Sequence, residues 1–339
     1  MIKYYTKNPL LTKNVVIPTD ERFEVVGVFN PGVHLFNSKT ILIARVAERA
    51  ISDNKDIIKV PIYKNGTFEI LEFNRNDEDV FLEDERVIIK NQKKYLTSIS
   101  HFEVFESIDG YQFHSTNVKI YPSDIYEEYG IEDARITKIA NKYYITYSAV
   151  SPLGIVVKLM ETTDFINFTK KGIILPPDNK DAHLFPNKIN GKYYLLHRPA
   201  SAYFLSPEVW ISSSSNLLDF GNHRHLISRD AKYDELRNGI SSSPILINNT
   251  WFCLLHGADS TNKYRVGYVL LDKNDPSIVI KRSVVPFLSP VNKYEREGFF
   301  PNVVFPCGLI KKRSKFFIYY GSADESISLV IVDIQELGL

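Results

Sequence analysis

Cysteine, methionine and tryptophan are scarce, with two of each in 339 residues. Cys253 and Cys307 make neither a disulfide framework nor a thiolate metal knuckle, both of which need more cysteines at set spacings. A surplus of charge is missing as well: 41 Lys and Arg stand against 40 Asp and Glu, a formal net charge of +1. That balance excludes a general nucleic-acid binder, which carries a clear basic excess. No run approaches the about 18 apolar residues of a membrane span. The first ten residues, interrupted by Lys3, Lys7 and Asn8, lack the apolar stretch of a secretory leader. With 44% hydrophobic residues the chain can bury a full core, so disorder is excluded. These absences lead to the expectation of a soluble, cytoplasmic protein with no nucleic-acid or membrane partner.

Helical periodicity is almost absent, whereas 20 Tyr and 21 Phe suit the pleated, half-buried surface of a sheet. One pattern recurs: an apolar strand, a polar turn, then an aromatic strand ending in small or polar residues. It appears in ARITKIANKYYITYSA (134–149), HLFPNKINGKYYLLHRPA (183–200), SSPILINNTWFCLLHGA (242–258) and NVVFPCGLIKKRSKFFIYYGSA (302–323). The turns, of which Asn190-Gly191 is the strongest, have the chemistry of tight hairpins. Weaker copies occupy 34–48 and 84–101, for up to six hairpin units. In the second of these, Glu83-Asp84-Glu85-Arg86 echoes Glu132-Asp133-Ala134-Arg135. A further strand pair after each hairpin brings the unit to about four strands, the size of a propeller blade. The chain is therefore expected to be all-β, a β-propeller whose residues 1–339 form one catalytic domain. A pair of β-sandwiches also has many strands, but it does not explain why one hairpin recurs with polar residues at its end.

The repeats place Asp133 and Arg135, His197-Arg198, His256 and Asp324 at corresponding strand ends. In a propeller such ends gather at one mouth of the central channel, where charged groups are costly unless paired or used. Convergence there predicts a site for a polar ligand.

The strings EDARIT (132–137), DNKDAHLFP (178–186), LHRP (196–199), LLHG (254–257), YRVGYVLLD (264–272), YEREGFFPNVVFPCG (294–308) and YYGSAD (319–324) resemble, in order, glycoside hydrolase family 130. The resemblance implies a five-bladed propeller, so that of the six hairpin units either 34–75 or 80–117 is expected to be an elaboration rather than a blade. It also implies action on β-mannosides, by phosphorolysis or, in a smaller set, hydrolysis. An inverting glycosidase needs a protonated carboxyl and a carboxylate base that activates water. A phosphorylase needs the acid but replaces the base with cations that hold inorganic phosphate.

Asp133 matches the family's catalytic acid, whose proton is thought to pass through a sugar hydroxyl; unaided, Asp133 and Arg135 would read as a local ion pair. Lys180, Arg198, Arg237 and His256 fall where the family's phosphorylases bind phosphate. Two departures preserve a cation: Lys180-Asp181 stands where Arg-Asn is common, and Arg237 where Lys is usual. The hydrolases place glutamates in this cluster; none occupies these four positions, although Glu235 lies two residues from Arg237. Asn30, Arg45, His101, Asp181, Tyr264, Glu295 and Asp324 are candidate sugar contacts, though a lone His ending a strand is more often structural. Phe299 or Phe300 could stack on a sugar, as could Phe185, whose ordinary fate is core packing. Nothing requires a metal or an organic cofactor, and the Ser212–Ser215 run lacks the flanking glycines of a nucleophile elbow.

The expected activity is inverting phosphorolysis of a β-mannoside by inorganic phosphate, giving α-mannose 1-phosphate. The look of GIEDARIT and NKD is nearer to members acting on β-1,2-linked mannobiose or oligomannan. A β-1,2-mannosidase is the enzymatic alternative, and a non-catalytic carbohydrate-binding propeller the alternative of another class. Linkage, acceptor length and homo-oligomer formation stay open at this stage.

Overall fold

The computed structural model describes residues 2–200, 207–229 and 232–339. Five antiparallel sheets, four of four strands and one of five, succeed one another along the chain, and each is a blade. Blade 1 comprises Phe23–Phe36, Lys39–Ala50, Ile99–Ser107 and His114–Ile120. Blade 2 comprises Ile131–Ile139, Lys142–Ser151, Gly154–Thr162 and Thr169–Leu175. Asn179–Leu184, Tyr193–Pro199, Val209–Ser214 and Gly221–Ile227 make blade 3. Blade 4 runs through Arg237–Ile240, Thr250–Ala258, Tyr264–Asp272 and Val279–Arg282, with Ile245–Ile247 added beside its second strand. Val304–Lys312, Lys315–Ser322 and Ser326–Asp333 form blade 5, whose fourth strand is the N-terminal Lys3–Tyr4. That last pairing joins the two ends of the chain within one blade.

The hairpins form where two consecutive residues accept positive φ, as at Asn37-Ser38 (47° and 65°), Asn190-Gly191 (49° and 78°) and Asn248-Asn249 (45° and 63°). This geometry matches strand twist, and asparagine and glycine adopt it at little cost.

Burial follows from the blade faces. Ile43, Val104, Ile131 and Ile145 pack between blades 1 and 2; Leu159, Leu175, Leu184 and Leu195 between blades 2 and 3. Leu196, Ile211, Trp251 and Leu255 fill the junction of blades 3 and 4; Phe252, Val266, Phe316 and Val330 that of blades 4 and 5. Val28, Leu42, Ile310 and Leu329 close the ring between blades 5 and 1. Five junctions, each with its own core, are the packing of a five-bladed propeller.

The sixth hairpin unit is not a blade. Residues 51–98 are an insertion between the second and third strands of blade 1, holding the hairpin Ile57–Lys64/Thr67–Asn74 and a sheet of Val80–Leu82, Val87–Lys90 and Lys93–Leu96. Its strands pair as a separate two-stranded and a separate three-stranded sheet rather than one four-stranded blade, and they bury Val60, Ile62 and Ile88 against Tyr129 and Val150 beside the ring. Only the end of the 84–101 segment, from Ile99, pairs with Lys39–Ala50 as part of blade 1. Among the described residues no helix is long and apolar enough to cross a membrane.

Candidate active site

Three blades share one local device. In blade 1 the pairing Phe29↔Arg45 jumps to Gly32↔Ile43; in blade 2 Glu132↔Ser148 jumps to Arg135↔Thr146; in blade 3 Lys180↔Arg198 jumps to His183↔Leu196. Each jump is a bulge in the first strand, and each holds an Asn or Asp at positive φ: Asn30 (46°), Asp133 (56°) and Asp181 (51°). Asn and Asp tolerate this backbone better than other residues with a Cβ, and a bulge re-aims the side chain it carries. Residues from all five blades then meet in one cavity of about 400 Å³. Nine of the twelve positions expected above to act in catalysis, phosphate binding or polar sugar contacts line it: Asn30, Arg45, Asp133, Lys180, Asp181, Arg198, Arg237, Tyr264 and Asp324.

One wall is a carboxylate–arginine lattice. Asp133 Oδ1 accepts from Asn30 Nδ2 at 2.9 Å and from Arg45 Nη1 at 3.3 Å. Glu132, next in sequence, accepts from Arg45 Nη2 at 2.9 Å and from Lys180 Nζ at 3.1 Å. Burial raises the Glu132 pKa, but Arg45 and Lys180 outweigh it and hold the group at about 2. Among the described residues Asp324 has no such hydrogen-bonding partner. Burial, with Asp133 nearby and only partly offset by Arg45, pushes its carboxyl up to about 6.

The adjoining wall holds the cations, and Lys180 belongs to both through Glu132. Asp181, 5% exposed, lies 2.8 Å from Arg198 Nε, 3.4 Å from His256 Nε2 and 3.3 Å from Arg135 Nη2. Burial opposes its ionisation, yet Arg198, His256 and Arg135 hold its carboxyl well below the usual range. Arg237 differs from its neighbours. Its guanidinium donates to the Tyr264 hydroxyl and the Asn262 side-chain oxygen, both at 3.1 Å, and no carboxylate of the described residues lies within ion-pair distance. It is the cavity cation whose charge is least neutralised.

Three expected site residues lie outside the cavity lining. His256 is fully buried behind Asp181, with Nδ1 2.7 Å from the Ser241 hydroxyl, and burial lowers its pKa despite Asp181. It borders the cluster through Asp181. His101 packs within blade 1 against Tyr121, with its pKa pushed down to about 3 by burial. It is a neutral core group, because a residue pairing with Val46 in mid-sheet points between blades. Glu295 is spent on structure: it accepts from the backbone of Val291 and Asn292, and from the Tyr320 hydroxyl at 2.6 Å. Phe185 is core, edge-on to Trp251, whereas Phe299 and Phe300 line the cavity. Glu235 is also outside the lining, accepting from the Ser260 backbone N–H.

Reading the sequence residue by residue missed Glu132 and Arg86. Glu132 stands beside Asp133 in EDARIT, so its signal was present. Arg86 belongs to the inserted sheet, lines the cavity, and lies 4.0 Å over the Phe300 ring. The echo of Glu132–Arg135 in Glu83–Arg86 therefore marks a loop that reaches the same cavity. Among the described residues no group of three or more His, Cys, Asp or Glu is arranged to hold a metal ion.

Comparison with known proteins is consistent along the chain. The profile of glycoside hydrolase family 130, described as beta-1,4-mannooligosaccharide phosphorylase, matches residues 85–338. A beta-1,2-mannobiose phosphorylase of Listeria innocua is 43% identical over 98% of this chain and 96% of its own. A 1,2-beta-oligomannan phosphorylase of Thermoanaerobacter sp. is 35% identical over 81% of this chain and 89% of its own. The solved complex of the Listeria innocua enzyme with beta-1,2-mannobiose superposes with a TM-score of 0.96, covering 99% of this chain and 98% of that one.

Proposed function

Because the chain belongs to glycoside hydrolase family 130, we propose that it is a β-1,2-mannoside phosphorylase, converting mannobiose or a short oligomannan and inorganic phosphate to α-mannose 1-phosphate and a shortened acceptor. The five blades act as one catalytic domain, with phosphate as co-substrate and no organic cofactor. The observation that carries this reading is the meeting in one cavity of the Asp133 carboxylate cluster and a cation wall of Lys180, Arg198 and Arg237, joined through the Glu132–Lys180 ion pair.

Phosphate held on the cation wall attacks the anomeric carbon from the face opposite the glycosidic bond. The C1–O bond to the leaving sugar breaks as the C1–O bond to phosphate forms, and configuration inverts. The proton needed by the departing oxygen comes from Asp133, directly or through a sugar hydroxyl between them. Arg45 and Asn30 fix the Asp133 carboxyl, and Asp324 and Tyr264 are placed to meet sugar hydroxyls. Phe299 and Phe300 offer apolar surface to the ring.

Hydrolysis requires a carboxylate base to activate water. Cations hold Glu132 and Asp181 far below the pKa of a useful base, which leaves Asp324, raised to about 6, as the cavity carboxylate a mannosidase would use. The decisive measurement is incubation with β-1,2-mannobiose with and without phosphate. α-Mannose 1-phosphate is expected only when phosphate is supplied. Free mannose formed in phosphate-free buffer, and not accelerated by phosphate, would instead establish a mannosidase. Binding without turnover would establish a lectin. A cytoplasmic setting, in keeping with the buried free thiols of Cys253 and Cys307, completes the reading.

Asp324 supplies a pH signature. Its carboxylate accepts more strongly from sugar hydroxyls once ionised, so at saturating phosphate kcat/KM for the mannoside should rise as pH passes through about 6. Stability moves the other way. A raised folded-state pKa means that the folded protein keeps a proton the unfolded chain releases. The associated stabilisation is complete below about 4 and lost as pH rises through the folded value. Asp324→Asn should remove the inflection from the activity profile; an inflection that persists in the variant would assign it to another group.

A further inference from the structure

Asp181 places a negative charge where phosphate is proposed to bind, and its surroundings show what that charge can select. Asp181 Oδ2, Arg198 Nε and His256 Nε2 are all buried, and none has a directed hydrogen-bond partner among the described residues. The 2.8 Å and 3.4 Å separations from Oδ2 are ion-pair contacts whose N–H groups are not aimed at the oxygen. Asp181 Oδ1, by contrast, accepts from Arg135 Nη2 at 3.3 Å. Assigning the Ser241 hydroxyl as donor to His256 Nδ1 leaves the hydrogen on Nε2. Of the three, Asp181 and Arg198 line the cavity and His256 stands behind Asp181, so an anion entering the cavity meets the Arg198 guanidinium as donor and the Asp181 carboxylate as acceptor. Gly239 of blade 4 closes against the cluster: a Cβ there would collide with the His256 ring and Asp181 Oδ2.

A cationic donor beside a carboxylate acceptor complements a tetrahedral oxyanion that still carries a hydroxyl. We propose that Asp181 is a specificity residue that accepts a hydrogen bond from the P–OH of phosphate, so that the site takes protonated oxyanions and rejects sulfate. Hydrogen phosphate and hydrogen arsenate each retain a hydroxyl near neutral pH. Sulfate has the same shape and no proton to give, so its oxygen would face the Asp181 carboxylate charge to charge. An amide at this position would instead donate to any oxyanion and discriminate none. A site built around a hydrogen bond to a ligand hydroxyl rejects the analogue that lacks it. The inference rests on the reading of the cation wall as a phosphate site.

The test is calorimetric anion binding to the whole protein, with phosphate, arsenate and sulfate as probes. Wild type should bind phosphate and arsenate alike and sulfate at least about tenfold more weakly, equivalent to 1.4 kcal/mol. Asp181→Asn should bring sulfate to within about threefold of arsenate. Sulfate bound as tightly as arsenate by wild type overturns the proposal, as does an unchanged ratio in folded Asp181→Asn. Should the variant not fold, the wild-type comparison decides alone. Turnover enters none of these readings, so a protein that discriminates the anions but forms no mannose 1-phosphate counts against the phosphorylase reading and not against the role of Asp181.

Discussion

Asp133→Asn should lower kcat by about 10²–10⁴-fold while leaving the fold and the KM for phosphate nearly unchanged. The magnitude is that of a lost general acid. The substitution keeps the shape and can keep a hydrogen bond with Asn30, which now lies 2.9 Å from Oδ1. Arg45 loses one of its two carboxylate partners but retains Glu132 at 2.9 Å, so no guanidinium is left buried and unpaired. Unfolding should therefore change little. A second substrate separates acid catalysis from mere positioning. An aryl β-mannoside with a good leaving group needs no protonation, so the variant should recover most of its rate on it. If purified Asp133→Asn turns over mannobiose at near wild-type kcat, or fails equally on the aryl substrate, Asp133 is not the acid.

The second large effect concerns Arg237. Arg45, Lys180 and Arg198 each face a carboxylate, whereas Arg237 is held only by the Tyr264 hydroxyl and the Asn262 amide oxygen. Its charge is the most available to an incoming anion. A hydrogen bond involving a charged group contributes about 1.5–3 kcal/mol. Arg237→Ala should accordingly raise the KM for phosphate by about one to two decades. The affinity for mannoside measured without phosphate should move little, since Tyr264 also packs near Phe300 and Phe305 and keeps its place. Arg237→Lys should recover part of the loss, because a point charge replaces the fork but not its two directed bonds. Equal losses for phosphate and mannoside would show that Arg237 shapes the cavity as a whole.

The cavity was partly visible before the fold was known. Asn30, Asp133 and Asp181 are short polar residues beside apolar strands, and the family resemblance singled out the cations around them. His101 and Glu295 carried the same kind of signal and lie elsewhere. A string cannot say which way a strand residue points: His101 falls on a face packed between blades, and Glu295 is turned back onto the backbone of Val291 and Asn292. Arg86 shows the converse. Its place over Phe300 depends on an insertion folding back toward the mouth, which local sequence does not encode.

Hairpin after hairpin, the sequence by itself determined that this is a repeated all-β chain, because alternating apolar strands and Asn-rich turns are short-range properties that need no partner to be recognised. The number of blades was decided only in three dimensions. The inserted strands pair among themselves in two small sheets rather than in one four-stranded blade, and Lys3–Tyr4 completes blade 5 only because the ring brings it beside Ser326–Asp333. Charge pairing was decided there too. Glu132 and Lys180 are 48 residues apart, as are Arg135 and His183, and Arg45 and Asp133 are 88 apart. Their distances, and hence which carboxyls are held ionised and which is raised, exist only once five sheets share an axis and water is excluded between them.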